Sequence, residues 1–212
     1  AVTVAAVGSA RTDILAIGAA VGGVTAGLIS LVVVRLVARI RELQGRLEHA
    51  ARTDELTGLP NRRVLFDVLA REIDRARRRD AKLTVVFVDL DRFKRVNDRH
   101  GHQVGDTVLR EAAAAIKAGL RTYDVVGRYG GEEFVMVLPD TGAWDGHAVA
   151  ERIRETVAAK VFAGGVHLTI STGVADLAKG MDADRLLKAA DTAVYRAKRA
   201  GRNRSEVQPG ER

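Results

Sequence analysis

The sequence has no cysteine, few aromatic residues and no Gly-Lys-Ser/Thr phosphate-binding loop. Because cysteine is absent, the chain cannot form a disulfide or a thiolate metal site, which suits a reducing compartment. Aromatic residues make up 4% of the chain, too few for the stacking platforms that bind single-stranded nucleic acids. The missing loop excludes the P-loop class of nucleotide hydrolases.

Positive charge and apolar residues, in contrast, are plentiful. The formal net charge is +7 and the pI is about 10.1, which favours anionic partners such as nucleotide phosphates or lipid headgroups. With 212 residues, of which 47% are hydrophobic, the chain is expected to form one or two domains with a packed core. We expect no nucleic-acid partner, because the aromatic residues are so few.

Residues 14–34 form an uninterrupted stretch without charge. A helix of this length crosses a bilayer core, and Gly18, Gly22, Gly23 and Gly27 have the spacing of closely packed membrane helices. A cleaved signal peptide is the alternative, but the apolar run is too long and the positive charge follows it. Arginines are frequent directly after the run, which predicts a single pass through the inner membrane with the remaining chain in the cytoplasm.

A helical stalk is expected over residues 35–52. Apolar residues recur there at alternating spacings of four and three, in the order Leu36, Ile40, Leu43, Leu47, Ala50 and then Asp54. This heptad pattern predicts a short parallel coiled coil between two copies of the chain. The seam is shorter than three heptads, so a single amphipathic helix lying on its own domain is the alternative.

A glycine pair separates two apolar runs in the second half of the chain. Residues 128–134 read RYGGEEF and lie between apolar residues 125–126 and 135–138. Glycine tolerates the positive φ of a two-residue hairpin turn, so the pattern predicts a tight hairpin with Glu132 and Glu133 at the exit of its turn. The same pattern also fits an ordinary exposed hairpin with solubilising carboxylates.

A second acidic pair ends the most strongly predicted strand. Residues 83–90 are nearly all apolar or β-branched, which predicts a central strand buried on both faces. Asp89 and Asp91 alternate and are expected to point to the same side, at the strand end where α/β proteins collect ligands. A helix cap is the alternative, and it fits Asp91 better than Asp89. A divalent cation shared by Asp89 and Glu132 would relieve the repulsion between their carboxylates.

Four segments together resemble the GGDEF-domain diguanylate cyclases. RYGGEEF resembles the family signature, with Glu132 where the family name has Asp. The opening motif of the family is similar to residues 54–63, DELTGLPNRR, and its first catalytic strand and helix to residues 87–98, FVDLDRFKRVND. Its closing helix resembles residues 189–203. The matches run in family order over residues 52–207, about three quarters of the chain, and are together highly specific.

This resemblance implies a fold, a reaction and a metal centre. The fold would be an α/β palm-like domain with a mixed central β-sheet flanked by helices. The enzyme would condense two GTP molecules into cyclic di-GMP and two pyrophosphates. Two Mg²⁺ ions per site, or Mn²⁺ in their place, would be held by Asp89, Glu132 and the backbone carbonyl of Leu90, with Glu133 as a further catalytic acid.

Substrate contacts follow from the same resemblance. Asn97 and Asp106 match the family's guanine-reading positions, although either would more often be a helix cap. Lys198 and Arg202 match the residues that clamp the terminal phosphates; they lie four apart on the predicted last helix and so share a face. A solvated basic helix end is the alternative for this pair. The remaining implied substrate contacts are Phe93, Lys94, Gly130 and Gly131.

An RxxD motif, Arg121 to Asp124, lies upstream of the hairpin, with five residues between Asp124 and Gly130. This is the spacing of the family's inhibitory product site. Arginine suits such a site because its planar guanidinium binds phosphate in a bidentate manner. Arg152, on the following predicted helix, is the expected second arm of the site.

The predicted domain order is a tail (1–13), a transmembrane helix (14–34), a stalk (35–52), a diguanylate cyclase domain (53–207) and a short tail (208–212). Each domain would bind one GTP, so the expected partners are GTP, cyclic di-GMP, a second copy of the chain and the membrane. Two alternatives stay open. The domain could be a catalytically silent sensor of GTP or cyclic di-GMP, or the chain could be a membrane-tethered dimerisation module.

Overall fold

The computed structural model of the chain describes residues 30–40 and 52–208. Residues 30–40 are helical and belong to a unit that is separate from the one formed by Arg52–Arg212. The fold and the candidate site described below belong entirely to this second unit.

The second unit contains five helices and seven strands among its described residues. The helices are α1 (Arg62–Arg79), α2 (Phe93–His100), α3 (His102–Ala118), α4 (Ala143–Ala159) and α5 (Ala183–Arg199). The strands are β1 (Leu83–Leu90), β2 (Val125–Gly130), β3 (Glu133–Pro139), β4 (Val161–Phe162), β5 (Val166–His167), β6 (Ile170–Asp176) and β7 (Arg204–Gln208).

Five strands form one mixed sheet in the order β2-β3-β1-β6-β7. All neighbouring strands are antiparallel except β6 and β7, which are parallel. β4 and β5 form a separate two-stranded ribbon. The predicted mixed sheet flanked by helices is therefore confirmed, and β1 lies at its centre with every residue buried.

Two apolar layers pack on opposite faces of the sheet. One layer joins Leu65 of α1 and Leu186 of α5 to Val85 and Phe87 of β1. The other joins α3 and α4 to the alternate strand residues, such as Val86. Burying one large aliphatic side chain in such a layer contributes roughly 1.5–3 kcal/mol relative to leaving it exposed.

The alternation along β1 decides where its acidic end points. Side chains two residues apart in a strand lie on the same face. Val85 and Phe87 face α1 and α5, so Asp89 lies on the α5 side of the sheet. The sequence of a single strand thus places a carboxylate beside the C-terminal turn of α5.

The predicted location in the inner membrane is corrected by the structure. Within residues 30–40 and 52–208, no helix has both the length and the apolar character that crossing a bilayer requires. Of the predicted span 14–34, residues 14–29 lie outside the described residues, whereas residues 30–34 belong to the short helical segment.

The proposed heptad seam is also only partly described. Leu36 and Ile40 lie in the helical segment 30–40, whereas Leu43, Leu47 and Ala50 lie outside the described residues. Asp54 does not continue the seam. It lies in a turn, where its carboxylate accepts hydrogen bonds from the backbone and hydroxyl of Thr57.

Candidate active site

The hairpin forms as predicted, but its turn is shifted by one residue. Gly130 pairs with Glu133, so Gly131 and Glu132 are the two turn residues. Gly131 has φ +37°, which glycine adopts without a Cβ clash. A β-bulge between Arg128 and Gly130 shifts the strand register. Glu132 therefore lies within the turn, and Glu133 is the first residue of β3.

The turn folds against the end of β1. Asp89 is the direct cross-strand partner of Glu133, and the Leu90 N–H donates to the Glu132 carbonyl at 3.3 Å. The predicted metal ligands Asp89, Leu90 and Glu132 are thus neighbours, although Glu132 is 42 positions away from Leu90 by sequence number. The convergence follows from the antiparallel pairing of β1 with β3.

The acidic residues perturb one another. Asp89 is 5% exposed, and burial raises the pKa of its carboxyl, with a smaller contribution from Asp91. Lys198 acts in the opposite direction, because its Nζ lies 2.6 Å from Asp89 Oδ2. Burial also raises the pKa of both Glu132 and Glu133, and the charge of Asp89 adds to each shift.

The arrangement fits a divalent cation that is held together with a phosphate. In the described part of the chain, no three acidic or histidine side chains are close enough to enclose a metal ion. Mg²⁺, however, is usually bound by one or two carboxylates together with water and substrate phosphates. Asp89 and Glu132 supply two such carboxylates. The ion pair with Lys198 already offsets the negative charge of Asp89.

Asp91 does not have the helix-capping role that was the alternative interpretation of the sequence. Its carboxylate is buried and accepts hydrogen bonds from Thr169 Oγ1 and Ser171 Oγ, each at 2.7 Å, and from the Asn203 N–H at 3.0 Å. It does not cap α2, whose N-cap residue is Arg92, without a side-chain hydrogen bond. Asp91 therefore anchors the end of β1 to β6 and to the loop before β7.

The candidate guanine contacts lie between α2 and α3. Asn97 is half-buried on α2, and Asp106 is exposed on α3. Gly105 faces Asn97 so closely that an added Cβ would overlap the Asn97 side-chain oxygen, and it would also touch the Phe93 ring at 3.4 Å. Phe93, Asn97 and the helical turn that carries Asp106 are thus brought together, while Lys94 is exposed at the start of α2.

Lys198 and Arg202 do not share a helical face. α5 ends at Arg199, and Arg202 lies in the following loop with φ +67°. Lys198 pairs with Asp89, and the charge of Arg202 also lowers the Asp89 pKa, though less than Lys198 does. Lys198 at the end of the helix and Arg202 in the following loop therefore both act to lower the pKa of Asp89.

The RxxD residues form a local turn. The Arg121 N–H donates to Asp124 Oδ2 at 2.9 Å, and the Arg121 side chain donates to the Tyr123 hydroxyl. Asp124 Oδ1 is buried and has no hydrogen-bond partner within the described residues. Arg152 donates to the Gly119 carbonyl at 2.8 Å, which brings α4 next to this turn.

Sequence reasoning missed one connection to the hairpin. Arg128 Nη1 lies 3.0 Å from Asp54 Oδ2, and its Nε and Nη2 donate to the Gly131 carbonyl at 2.9 and 2.6 Å. Burial acts to raise the Asp54 pKa, but hydrogen bonds from Thr57 and Arg128 outweigh it and lower the pKa. The sequence signal was the spacing of Asp54 and Thr57, which is typical of a side-chain-stabilised turn.

Comparisons with known proteins agree with this architecture. The family model described as "Diguanylate cyclase, GGDEF domain" matches residues 51–204. The response regulator PleD of Caulobacter vibrioides is 43% identical over an alignment of 170 residues that covers 76% of this chain and 37% of PleD. Diguanylate cyclase DosC of Escherichia coli is 39% identical over an alignment of 178 residues that covers 82% of this chain and 39% of DosC. The chain therefore spans less than two fifths of each of these relatives.

Solved structures also resemble this chain. The GGDEF domain of DgcB from Caulobacter crescentus, in complex with c-di-GMP, has a TM-score of 0.72 at 34% identity and covers 74% of this chain and 96% of that one. Diguanylate cyclase SiaD of Pseudomonas aeruginosa, in complex with its activator SiaC, has a TM-score of 0.70 at 36% identity and covers 94% and 79%.

Proposed function

The chain belongs to the GGDEF diguanylate cyclase domain family, and from this premise we propose that it condenses two GTP molecules into cyclic di-GMP and two pyrophosphates. The observation that carries the proposal is the meeting of Asp89, Leu90 and Glu132 where β1 ends against the Gly131–Glu132 turn. Two carboxylates at an open turn leave room for the triphosphate that a cyclase must bind.

The reaction joins the 3′-oxygen of one GTP to the α-phosphorus of the other and releases pyrophosphate. Asp89 and Glu132, with the Leu90 carbonyl, would hold two Mg²⁺ or Mn²⁺ ions, which when bound activate the attacking oxygen and neutralise the leaving group. Glu133 would accept the hydroxyl proton; burial and the charge of Asp89 both raise its pKa, which suits a general base. Lys198 and Arg202 would bind the terminal phosphates.

Base recognition would come from the groove between α2 and α3. Guanine presents N–H donors, and the Asn97 amide oxygen and the Asp106 carboxylate can accept from them. Phe93 and Lys94 would line the start of α2, and Gly130 and Gly131 would let the nucleotide approach the backbone. Adenine would leave the acceptors unpaired, so the site should strongly prefer GTP.

Two domains are needed to complete one product. Each domain would present one GTP, and the two 3′-oxygens would each attack the partner's α-phosphate across a dimer interface. A homodimer that places two sites face to face is therefore part of the proposal. The stalk predicted over residues 35–52 would favour it by raising the local concentration of the second domain.

Product inhibition is proposed at the RxxD turn. Arg121 and Arg152 would bind phosphate groups of cyclic di-GMP, and Asp124 would accept hydrogen bonds from its guanine. The buried Asp124 Oδ1 that lacks a partner within the described residues supports this role, because buried acceptors are normally paired. A ligand at this turn would satisfy it.

The proposal is tested by incubating the purified chain with GTP and Mg²⁺ and measuring cyclic di-GMP by liquid chromatography and mass spectrometry. We expect product from GTP and none from ATP. Glu132→Gln should abolish product formation with the fold retained, whereas Glu55→Gln, a matched change at an exposed glutamate, should leave it unchanged. A chain that binds cyclic di-GMP but makes none would instead be a silent sensor.

A further inference from the structure

A large cleft opens on the side of α2 that faces away from the guanine groove. Its volume is about 1020 Å³, and it lies between α2, residues 164–169 and the loop 201–203. Phe93 and Asn97 point towards α3, so they leave the opposite face of α2 free to line this cleft. None of the roles proposed above uses that face.

Four arginines line the cleft and give it a strong positive charge. Arg92, Arg95 and Arg99 project from one face of α2, at spacings of three and four residues, and Arg202 lies opposite them. Within the described residues, none of the four guanidinium groups has a hydrogen bond or an ion pair. The charge of Arg92, Arg95 and Arg99 is therefore available to a ligand, whereas Arg202 is shared with the proposed contact to the terminal phosphates of GTP.

The acidic residues in the cleft only partly offset this charge. Asp91 also lines it, but its carboxylate already accepts three hydrogen bonds. Asp98 is exposed at its edge. His100 and His167 add two imidazole groups that can donate to an anion. The positive charges outnumber the negative ones, so an anion is the favoured occupant.

The backbone around the cleft supports a functional role. Five non-glycine residues in the described part of the chain have positive φ, and three of them, Arg92, Arg202 and Asn203, line this cleft. Such conformations are uncommon for residues with a side chain and concentrate at ligand-binding positions. Two of these three residues, Arg92 and Arg202, are arginines that line the cleft.

We propose that this arginine cleft binds inorganic pyrophosphate. Guanidinium groups suit this class of ligand, because their planar N–H pairs match neighbouring phosphate oxygens. Asp91 directly follows β1 and lines the cleft together with Arg202, so the cleft adjoins the strand end that carries Asp89. If the proposed cyclase reaction holds, the pyrophosphate it releases would have a binding place beside the site.

The test is calorimetric titration of the full chain with inorganic pyrophosphate in the presence of EDTA. Removing divalent cations keeps pyrophosphate away from the acidic cluster, because its carboxylates then repel the anion. We expect saturable binding that weakens as salt is added. The double variant Arg95→Ala/Arg99→Ala should bind at least about tenfold more weakly, since it loses charge-assisted hydrogen bonds.

Matched controls separate the cleft from general charge. Arg71→Ala/Arg78→Ala removes two exposed arginines of α1 and the same total charge, and it should bind pyrophosphate like the wild type. Arg95→Lys/Arg99→Lys should recover part of the lost affinity. GMP, which carries the guanine base but no pyrophosphate group, should bind equally to the wild type and to Arg95→Ala/Arg99→Ala, because the proposed guanine groove lies on the other side of α2.

Equal pyrophosphate affinities in the wild type and in Arg95→Ala/Arg99→Ala would overturn the proposal, as would an absence of saturable pyrophosphate binding to the wild type. These outcomes are independent of cyclase activity. A chain that makes cyclic di-GMP but fails this titration loses only the cleft assignment. A chain that passes the titration but makes no cyclic di-GMP loses only the proposed reaction.

Discussion

A single missing side chain shapes the proposed guanine groove. Gly105 is buried in the first turns of α3, and any Cβ there would overlap the Asn97 side-chain oxygen. Asn97 can therefore keep its position only while residue 105 is glycine. This dependence belongs to one residue pair, and the sequence did not reveal it.

Replacing Gly105 by alanine should displace Asn97 and weaken recognition of guanine. Losing hydrogen bonds to the base costs about 1–3 kcal/mol, so we expect the KM for GTP to rise about tenfold or more, with a smaller change in kcat. Steady-state kinetics of cyclic di-GMP formation measures this change.

The same substitution in an Asn97→Ala background is the control. Without the Asn97 side chain, alanine at position 105 should stabilise the helix by up to about 1 kcal/mol, because glycine is a poor helix former. If urea unfolding shows the same effect of Gly105→Ala in both backgrounds, the contact with Asn97 is not what requires glycine.

Asp54 should make stability depend on pH. Its pKa is lowered in the folded state, because hydrogen bonds from Thr57 and Arg128 outweigh burial. A lowered carboxyl pKa contributes stability above the unfolded value of about 3.9 and loses it as the pH falls through the folded pKa. Asp54→Asn should therefore unfold in less urea than the wild type at pH 7, and the difference should shrink below about pH 4. A difference that is constant from pH 7 to pH 3 would show that the charge is not involved.

At the scale of secondary-structure elements, the sequence predicts those features that depend on residues close together in the chain. β1 forms over the predicted residues and is fully buried, because its apolar run is continuous. The hairpin also forms, but its turn is displaced by one residue. The bulge between Arg128 and Gly130 causes the shift, and such a bulge depends on cross-strand register that the local sequence does not specify.

The contacts that hold these elements together were not predictable. The end of α5 at Arg199 separates Lys198 from Arg202, which a helical spacing had placed on one face. Asp91, for which a helix cap was the alternative interpretation, does not cap α2 but accepts hydrogen bonds from Thr169, Ser171 and Asn203 in distant segments. Each of these outcomes is decided by packing between elements.

Arg128 is the clearest case of such packing and yields a prediction. It joins the opening turn at Asp54 to the carbonyl of Gly131, so Arg128→Ala should loosen the turn that carries Glu132. We expect the Leu90 amide, which donates to Glu132, to exchange faster with deuterium, and kcat to fall about tenfold or more.

The comparison with Asp54→Asn isolates the mechanism. Both substitutions break the same ion pair, so their combined effect on stability should be smaller than the sum of the single effects. Arg128→Lys should rescue only partly, because lysine cannot reach both partners with a planar fork. Unchanged exchange at Leu90 in Arg128→Ala would show that the turn holds its position without this arginine.

At the scale of the whole molecule, the proposed site draws on three distant parts of the chain. Asp89 comes from β1, Glu132 from the hairpin and Lys198 from α5. The sequence and the family resemblance nominated each of them, but neither could give the 2.6 Å ion pair between Lys198 and Asp89. The antiparallel pairing of β1 with β3 and the packing of α5 on the same face produce this convergence.

Measuring cation binding is the most direct test of whether Asp89 and Glu132 form one metal site. Electron paramagnetic resonance can count Mn²⁺ bound to the chain in the presence of a non-hydrolysable GTP analogue. We predict that Asp89→Asn weakens Mn²⁺ binding at least about tenfold, whereas Asp67→Asn, at an exposed aspartate of α1, leaves it unchanged. Mn²⁺ binding to Asp89→Asn with the affinity and number of ions seen in the wild type would contradict the proposed metal site.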